Sequence, residues 1–129
     1  TYKRGRFDLL NITTYTYGKT MDGDPLPLMP PLKDNLEVNY RMKRDWVFTV
    51  EVEVAMEQHR INDDFGERPT PDYTIANCQA SKTFSLRDVR FRTSLKVDNI
   101  FDTNYCEHLD WGKIPRMGRN LGLSVYLNF

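Results

Sequence analysis

The residues best suited to chemistry are a closely spaced pair of carboxylates, Glu51 and Glu53. Most glycoside hydrolases use a pair of carboxylates as their catalytic groups. These two share one face of an alternating segment, with no apolar pocket of the kind that such catalysis needs. The sequence contains neither a glycine-rich phosphate loop nor a nucleophile elbow. We therefore expect a protein that is not an enzyme. We interpret the two glutamates as polar residues on one face of a β-sheet wall.

A second candidate for chemistry is the run Cys106-Glu107-His108. Cys, Glu and His can together bind a borderline metal ion. Adjacent positions cannot easily reach one ion, so we interpret the run as a solvated loop and expect neither a metal site nor a cofactor. Cys78 is far away in sequence and lacks C-x-x-C spacing. We treat both thiols as free.

The composition narrows the class of protein further. Basic and acidic residues balance at 18 each, which argues against a nucleic-acid partner. No apolar run reaches the roughly 18 residues of a transmembrane helix. A mean hydropathy of -0.61 still permits a membrane barrel, because lipid-facing and lumen-facing residues alternate and average out. The chain starts at Thr1 without an export leader, so we expect a processed protein or a fragment.

Alternation with a period of two predicts β-strands, because a helix would scatter the same residues around its axis. The clearest segment has Phe91 and Leu95 on one face and Arg92 and Lys96 on the other. Six such segments are predicted, at 7–17, 35–43, 46–57, 73–85, 89–99 and 120–129.

The connections between these segments have two lengths that alternate. Short turns are predicted at 43–45 and 86–87, and long loops at 18–34, 61–72 and 102–118. Transmembrane barrels sort their connections in this way, with short periplasmic turns and long extracellular loops. We predict an all-β, antiparallel up-and-down meander of about six strands. Since bacterial barrels begin at about eight strands, this is expected to be part of a larger barrel.

The two faces predict what each side of the sheet contacts. The apolar face is expected to meet lipid, and aromatic residues at the strand ends are expected to form a girdle at both interfaces. Those aromatic residues are Tyr40, Trp46, Tyr73, Phe84, Phe101 and Phe129. The charged face is expected to line the lumen, through Glu51, Glu53, Arg90, Arg92 and Lys96.

Several motifs carry a family resemblance. The run Val97-Asp98-Asn99-Ile100-Phe101-Asp102-Thr103-Asn104-Tyr105 is the most specific of them. It resembles the N-L-F-D-x-x-Y signature of TonB-dependent outer-membrane receptors. The proline-rich stretch 24–32, the Thr70-Pro71-Asp72-Tyr73-Thr74 strand entry and the segment 114–120 fit the same pattern in order. The terminal Tyr126-Leu127-Asn128-Phe129 resembles the aromatic signal of barrels that are assembled into the outer membrane.

The resemblance implies that residues 1–129 are the C-terminal segment of a 22-stranded barrel in the outer membrane of a Gram-negative cell. The plug domain and the TonB-contacting box would lie in a missing N-terminal part. The implied partners are outer-membrane lipid, TonB, the plug domain, the barrel-assembly machinery through Phe129, and a metal-chelate substrate such as an iron–siderophore complex. A passive porin or adhesin barrel and a soluble lipocalin-like carrier remain as alternatives.

Recognition of substrate is expected in the outer loops, since loops carry most binding residues. Arginine suits chelated anions such as carboxylate or catecholate complexes. The residues that we predict to contact substrate are Arg60, Glu67, Arg68, His108, Trp111, Lys113 and Arg116.

Overall fold

The computed structural model describes residues 1–86, 89–110 and 112–128, and these form one antiparallel sheet. Its strands follow one another in chain order, each paired with the next. The strands are β1 (Tyr2–Arg4), β2 (Phe7–Thr14), β3 (Lys33–Arg41), β4 (Trp46–Ala55), β5 (Tyr73–Leu86), β6 (Val89–Asp98) and β7 (Asn120–Asn128). A single turn of 3₁₀-helix, Asp63–Phe65, lies between β4 and β5. Among the described residues, no helix has the length and apolar character needed to cross a membrane.

The all-β, up-and-down architecture confirms the prediction, but the described sheet has seven strands rather than six. The additional strand is β1, whose three residues are too few to show alternation. Gly5, with φ 61°, makes the tight turn from β1 to β2. The other boundaries agree with the prediction to within three residues: β2 and β4 end earlier than predicted, and β3 begins two residues earlier.

The sorted connections are also confirmed. The β3–β4 turn places Arg44 and Asp45 at φ 63° and 60°, the pair of positive angles that a type I′ hairpin turn needs. The long loops 15–32, 56–72 and 99–119 all leave the opposite end of the sheet, because β2, β4 and β6 run in the same direction. We call these three segments loop 1, loop 2 and loop 3. Of the predicted turn 86–87, Arg87 lies outside the described residues.

The register keeps one face of the sheet apolar across all the long strands. Phe48 pairs with Ala80, Ala80 with Leu95, and Leu95 with Leu123. These side chains do not enter a core: Leu95 is 46% exposed and Leu123 is 71% exposed. The opposite face carries the polar and charged side chains. The sheet therefore presents a wide apolar surface that nothing in the described chain covers.

The buried apolar core is small and lies at the loop end of the polar face. Ala55, Tyr73 and Ile75 form it, and Tyr105 of loop 3 packs against them. The rings of Tyr73 and Tyr105 stand 4.5 Å apart. This core fixes loop 3 to the sheet and so positions the residues described below.

The expected girdle of aromatic residues at both interfaces is wrong for part of its members. Phe7, Tyr40, Trp46, Phe48, Phe84 and Phe91 lie on the apolar face and cluster toward the short-turn end. Tyr73 instead points to the polar face, where Tyr105 covers it. Phe101 lies in a turn of loop 3 and is 72% exposed. The aromatic band of the described strands is thus confined to one end.

Candidate functional site

Glu67 is the residue that joins all three long loops. Its carboxylate accepts a hydrogen bond from the backbone N–H of Leu28 in loop 1 and another, at 2.7 Å, from that of Asn62 in loop 2. Its Oε1 also stands 3.9 Å from Nε2 of His108 in loop 3. Only 4% of the Glu67 side chain is exposed. A buried carboxylate with these contacts fixes the loops relative to one another.

His108 is buried, so its interpretation as part of a solvated loop is wrong. Its side chain is 1% exposed, and Nδ1 lies 2.8 Å from the hydroxyl of Thr70. Nε2 has no hydrogen-bond partner among the residues that the structure describes. Burial lowers the pKa of this imidazole, the nearby ammonium of Lys113 lowers it further, and Glu67 opposes both. The ring is therefore neutral under ordinary conditions.

A cavity of about 280 Å³ opens between loop 2 and loop 3 beside this junction. Lys113, whose φ is 52°, donates from Nζ to the backbone carbonyl of His108 and closes one side. Charges of both signs line the cavity, those of Glu67, Arg68, Asp110 and Lys113, together with the neutral imidazole of His108. Such a lining suits a ligand that is itself polar and carries both donors and acceptors.

The predicted substrate-contacting residues fall into two groups. Glu67, Arg68, His108 and Lys113 meet at the cavity, and Arg116 is tied to it through Asp110 at 2.7 Å. Arg60 lies apart, over the rings of Tyr15 and Tyr17 at 5.3 and 5.2 Å. Trp111 lies outside the described residues.

Sequence reasoning missed two residues of this region. Asp110 pairs with Arg116, and Lys33 at the start of β3 pairs with Glu53 at 3.3 Å and with Glu107 of loop 3 at 3.1 Å. Neither stands in a motif. Their roles depend on which loops approach each other, and alternation carries no information on that approach.

The predicted lumen-lining residues share the polar face of the sheet, and their contact with a lumen stays a prediction. Lys96 stands 3.8 Å from Glu51 and 2.9 Å from Asp98. Glu53 also accepts a hydrogen bond from the hydroxyl of Tyr73 at 2.7 Å. Within the described ranges, the exposed Arg90 and Arg92 make no ion pair.

No ready-made metal centre occurs among the described residues. No three of their His, Cys, Asp and Glu side chains come together in a way that could hold an ion. Cys78 and Cys106 are free thiols. Phe129, the predicted assembly signal, lies outside the described residues.

Comparison with known proteins places the fold in a class. The antiparallel meander, with one apolar face and sorted loops, has the form of a section of a β-barrel wall. The chain superposes on the solved structure of the copper transporter OprC with a TM-score of 0.83 and 24% sequence identity. The match covers 96% of this chain but only 20% of that chain, so this chain spans about a fifth of OprC. No family model and no curated protein sequence matches, and the likeness establishes the fold alone.

Proposed function

We propose that this chain is part of the barrel wall of a TonB-dependent outer-membrane receptor that imports a metal chelate. The observation that carries the proposal is the apolar face, which is continuous across the strands and open. Leu121, Val125 and Leu127 of β7 are 58–70% exposed, an arrangement that a water-soluble protein avoids on this scale. Hydrocarbon is the solvent in which this face is stable.

The positions of the charged residues on the apolar face also support contact with hydrocarbon. In the described strands the apolar face carries Asp34 in the row nearest the loops, and Arg4 and Lys82 near the short turns. On β4 the stretch between those margins runs from Val54 to Trp46. It spans about 27 Å along the strand, or roughly 20 Å for a strand tilted by about 40°, close to the ~25 Å apolar band of such barrels.

The loop junction supports the assignment of a substrate side. The cavity beside Glu67 and His108 opens at the end of the sheet that carries the long loops, which in outer-membrane barrels is extracellular. Arg68 and Lys113 offer cationic contacts to a chelate with carboxylate or catecholate groups. An iron–siderophore complex is one cargo of this kind. A copper complex is another, since OprC is a copper transporter.

The unpaired edges of the described sheet and the cations on its polar face indicate the remaining partners. β1 and β7 are the edges of the sheet, and in a bilayer both edges need further strands. Arg90 and Arg92, which form no ion pair with any other described residue, lie on the polar face and are suited to acidic groups of a plug domain. We place the chain at the C-terminal end of such a barrel on the resemblance of its motifs.

The test is TonB-dependent uptake by the full-length protein that contains this chain. Gram-negative cells that lack their own receptors would express it, with and without TonB, and radioactive iron and copper chelates would be supplied separately. We expect the protein in the outer membrane and uptake of one chelate only when TonB is present. Uptake that is equal without TonB would identify a passive porin instead, and recovery of the protein in the soluble fraction would favour a lipocalin-like carrier.

A further inference from the structure

Lys82 is the one lysine on the apolar face of the described strands. It interrupts the apolar residues of β5, between Ala80 and Phe84. Its Nζ stands 5.2 Å from the ring centroid of Trp46 and 4.7 Å from that of Phe84. Both rings hold the ammonium by cation–π attraction, while its carbon stem lies along the apolar surface.

This ammonium has no anionic partner in the part of the chain that the structure describes. Within residues 1–86, 89–110 and 112–128, no ion pair to Lys82 is formed, whereas Lys33 and Lys96 on the polar face pair with carboxylates. A cation on a lipid-facing surface is costly unless it reaches the interface and meets an opposite charge. An external anion at the level of Trp46 and Phe84 would satisfy it.

The short-turn end of the sheet, where Lys82 lies, carries more basic than acidic residues. Lys43, Arg44 and Asp45 form the turn that precedes Trp46, and Arg44 is exposed; Arg4 lies at the same end but four strands from β5. At the opposite end of the sheet, acidic residues outnumber basic ones in the three long loops. The end with the short turns is therefore the basic one, and its aromatic band marks the level of an interface.

We propose that Lys82, held between Trp46 and Phe84 and supported by Arg44, binds the phosphodiester headgroup of an anionic phospholipid. The inference rests on the proposed function, because the short-turn end then faces the phospholipid leaflet on the periplasmic side. We commit to lipid rather than free phosphate, since the ammonium lies beside apolar and aromatic side chains that acyl chains would cover. The ammonium of Lys82 and the rings of Trp46 and Phe84 together hold the headgroup at one depth in the membrane.

The test uses the full-length protein in nanodiscs of phosphatidylethanolamine with a minor fraction of phosphatidylglycerol. After the protein is released from the nanodiscs, native mass spectrometry counts the phosphatidylglycerol molecules that remain bound to it. For Lys82→Gln we expect bound phosphatidylglycerol to fall about fivefold, which is the effect of one Lys at an anionic surface. Lys82→Arg should retain most of the binding, and Trp46→Leu should lower it.

Lys19→Gln is the matched control, because it removes the same charge from exposed loop 1 at the opposite end and should change nothing. Heat-modified migration in gels verifies that each variant is folded. Equal phosphatidylglycerol retention by Lys82→Gln and the parent protein would overturn the inference, as would displacement of the lipid by inorganic phosphate at low concentration. If the parent protein does not enter nanodiscs at all, the proposed function itself fails.

Discussion

At the scale of the residue, the structure connects Leu28, Glu67 and His108, one from each long loop, through the carboxylate of Glu67. The types of Glu67 and His108 marked them as candidates, but their burial was not predictable. Alternation locates strands, whereas the burial of a loop residue depends on packing among segments that are distant in sequence, here residues 28, 67 and 108. The position of Arg68 at the cavity was equally unpredictable, because it follows only from the path of loop 2.

A Glu67→Ala substitution tests this junction. Two backbone N–H groups, those of Leu28 and Asn62, lose their acceptor, at a cost of about 1–3 kcal/mol for the closed arrangement of the loops. We expect faster hydrogen–deuterium exchange in segments 26–30 and 61–67, with the sheet unaffected. Glu57→Ala is the control, since that carboxylate is 60% exposed and pairs with the similarly exposed His59 of the same loop. Unchanged exchange in Glu67→Ala would show that the loops are held by other contacts.

The burial of His108 predicts a dependence on pH. Its pKa in the closed loops lies below the ordinary value of 6.5, so open loops bind the proton more readily than closed ones. The stability of the closed arrangement is fully present above 6.5 and is lost as the pH falls through the lowered pKa. We expect the protection factors of segment 66–70, which are corrected for the pH dependence of intrinsic amide exchange, to fall on acidification, and His108→Gln to flatten the response. The 66%-exposed His59 supplies the control His59→Gln, and equal flattening by both variants would contradict the assignment.

At the scale of the element, the exit from β6 is the part that the sequence predicted best. The sequence predicted a strand over 89–99, and in the structure β6 ends at Asp98, with the turn beginning at Asn99. Asn99 takes φ 49°, which asparagine tolerates better than most residues. Its side chain both donates to the carbonyl of Thr103 and accepts from the N–H of Thr103. Asp102 continues the turn by accepting from the N–H of Arg119 at 2.7 Å.

Replacement of Asn99 by Ala removes these hydrogen bonds and penalises the left-handed backbone. We expect a loss of about 2–4 kcal/mol in the free energy of unfolding, measured by urea titration of the full-length protein in micelles. Asn99→Gly keeps the backbone angle accessible and should lose less. Asn120→Ala in β7 is the control, and an equal loss there would show that the turn has no special role.

Other elements were outside the reach of the sequence. β1 is too short for a periodic signal and exists because Gly5 turns the chain back to pair it with β2. The aromatic residues were expected at both interfaces because many stand near strand ends. Which face a ring takes is set by register, and register places Tyr73 on the polar side.

At the scale of the whole molecule, the described sheet has two faces of different chemistry and two unpaired edges. Its strands pair only with neighbours in sequence, so the order of the sheet follows directly from alternation and from sorted loops. What the sequence did not show is how the loops close over one end. That arrangement depends on contacts such as Lys33 with Glu107, which join positions far apart along the chain.

The most direct measurement of what the apolar face touches is a spin-label scan of β7. In the full-length protein with Cys78 and Cys106 replaced, single cysteines at positions 121–127 would carry the label in phosphatidylethanolamine–phosphatidylglycerol liposomes. Collisions with oxygen report lipid, and collisions with a water-soluble nickel complex report water. We expect high oxygen accessibility at Leu121, Leu123, Val125 and Leu127 and low values at the positions between them. Labels at those four positions that met the nickel complex instead, or neither reagent, would contradict the claim that this face contacts acyl chains.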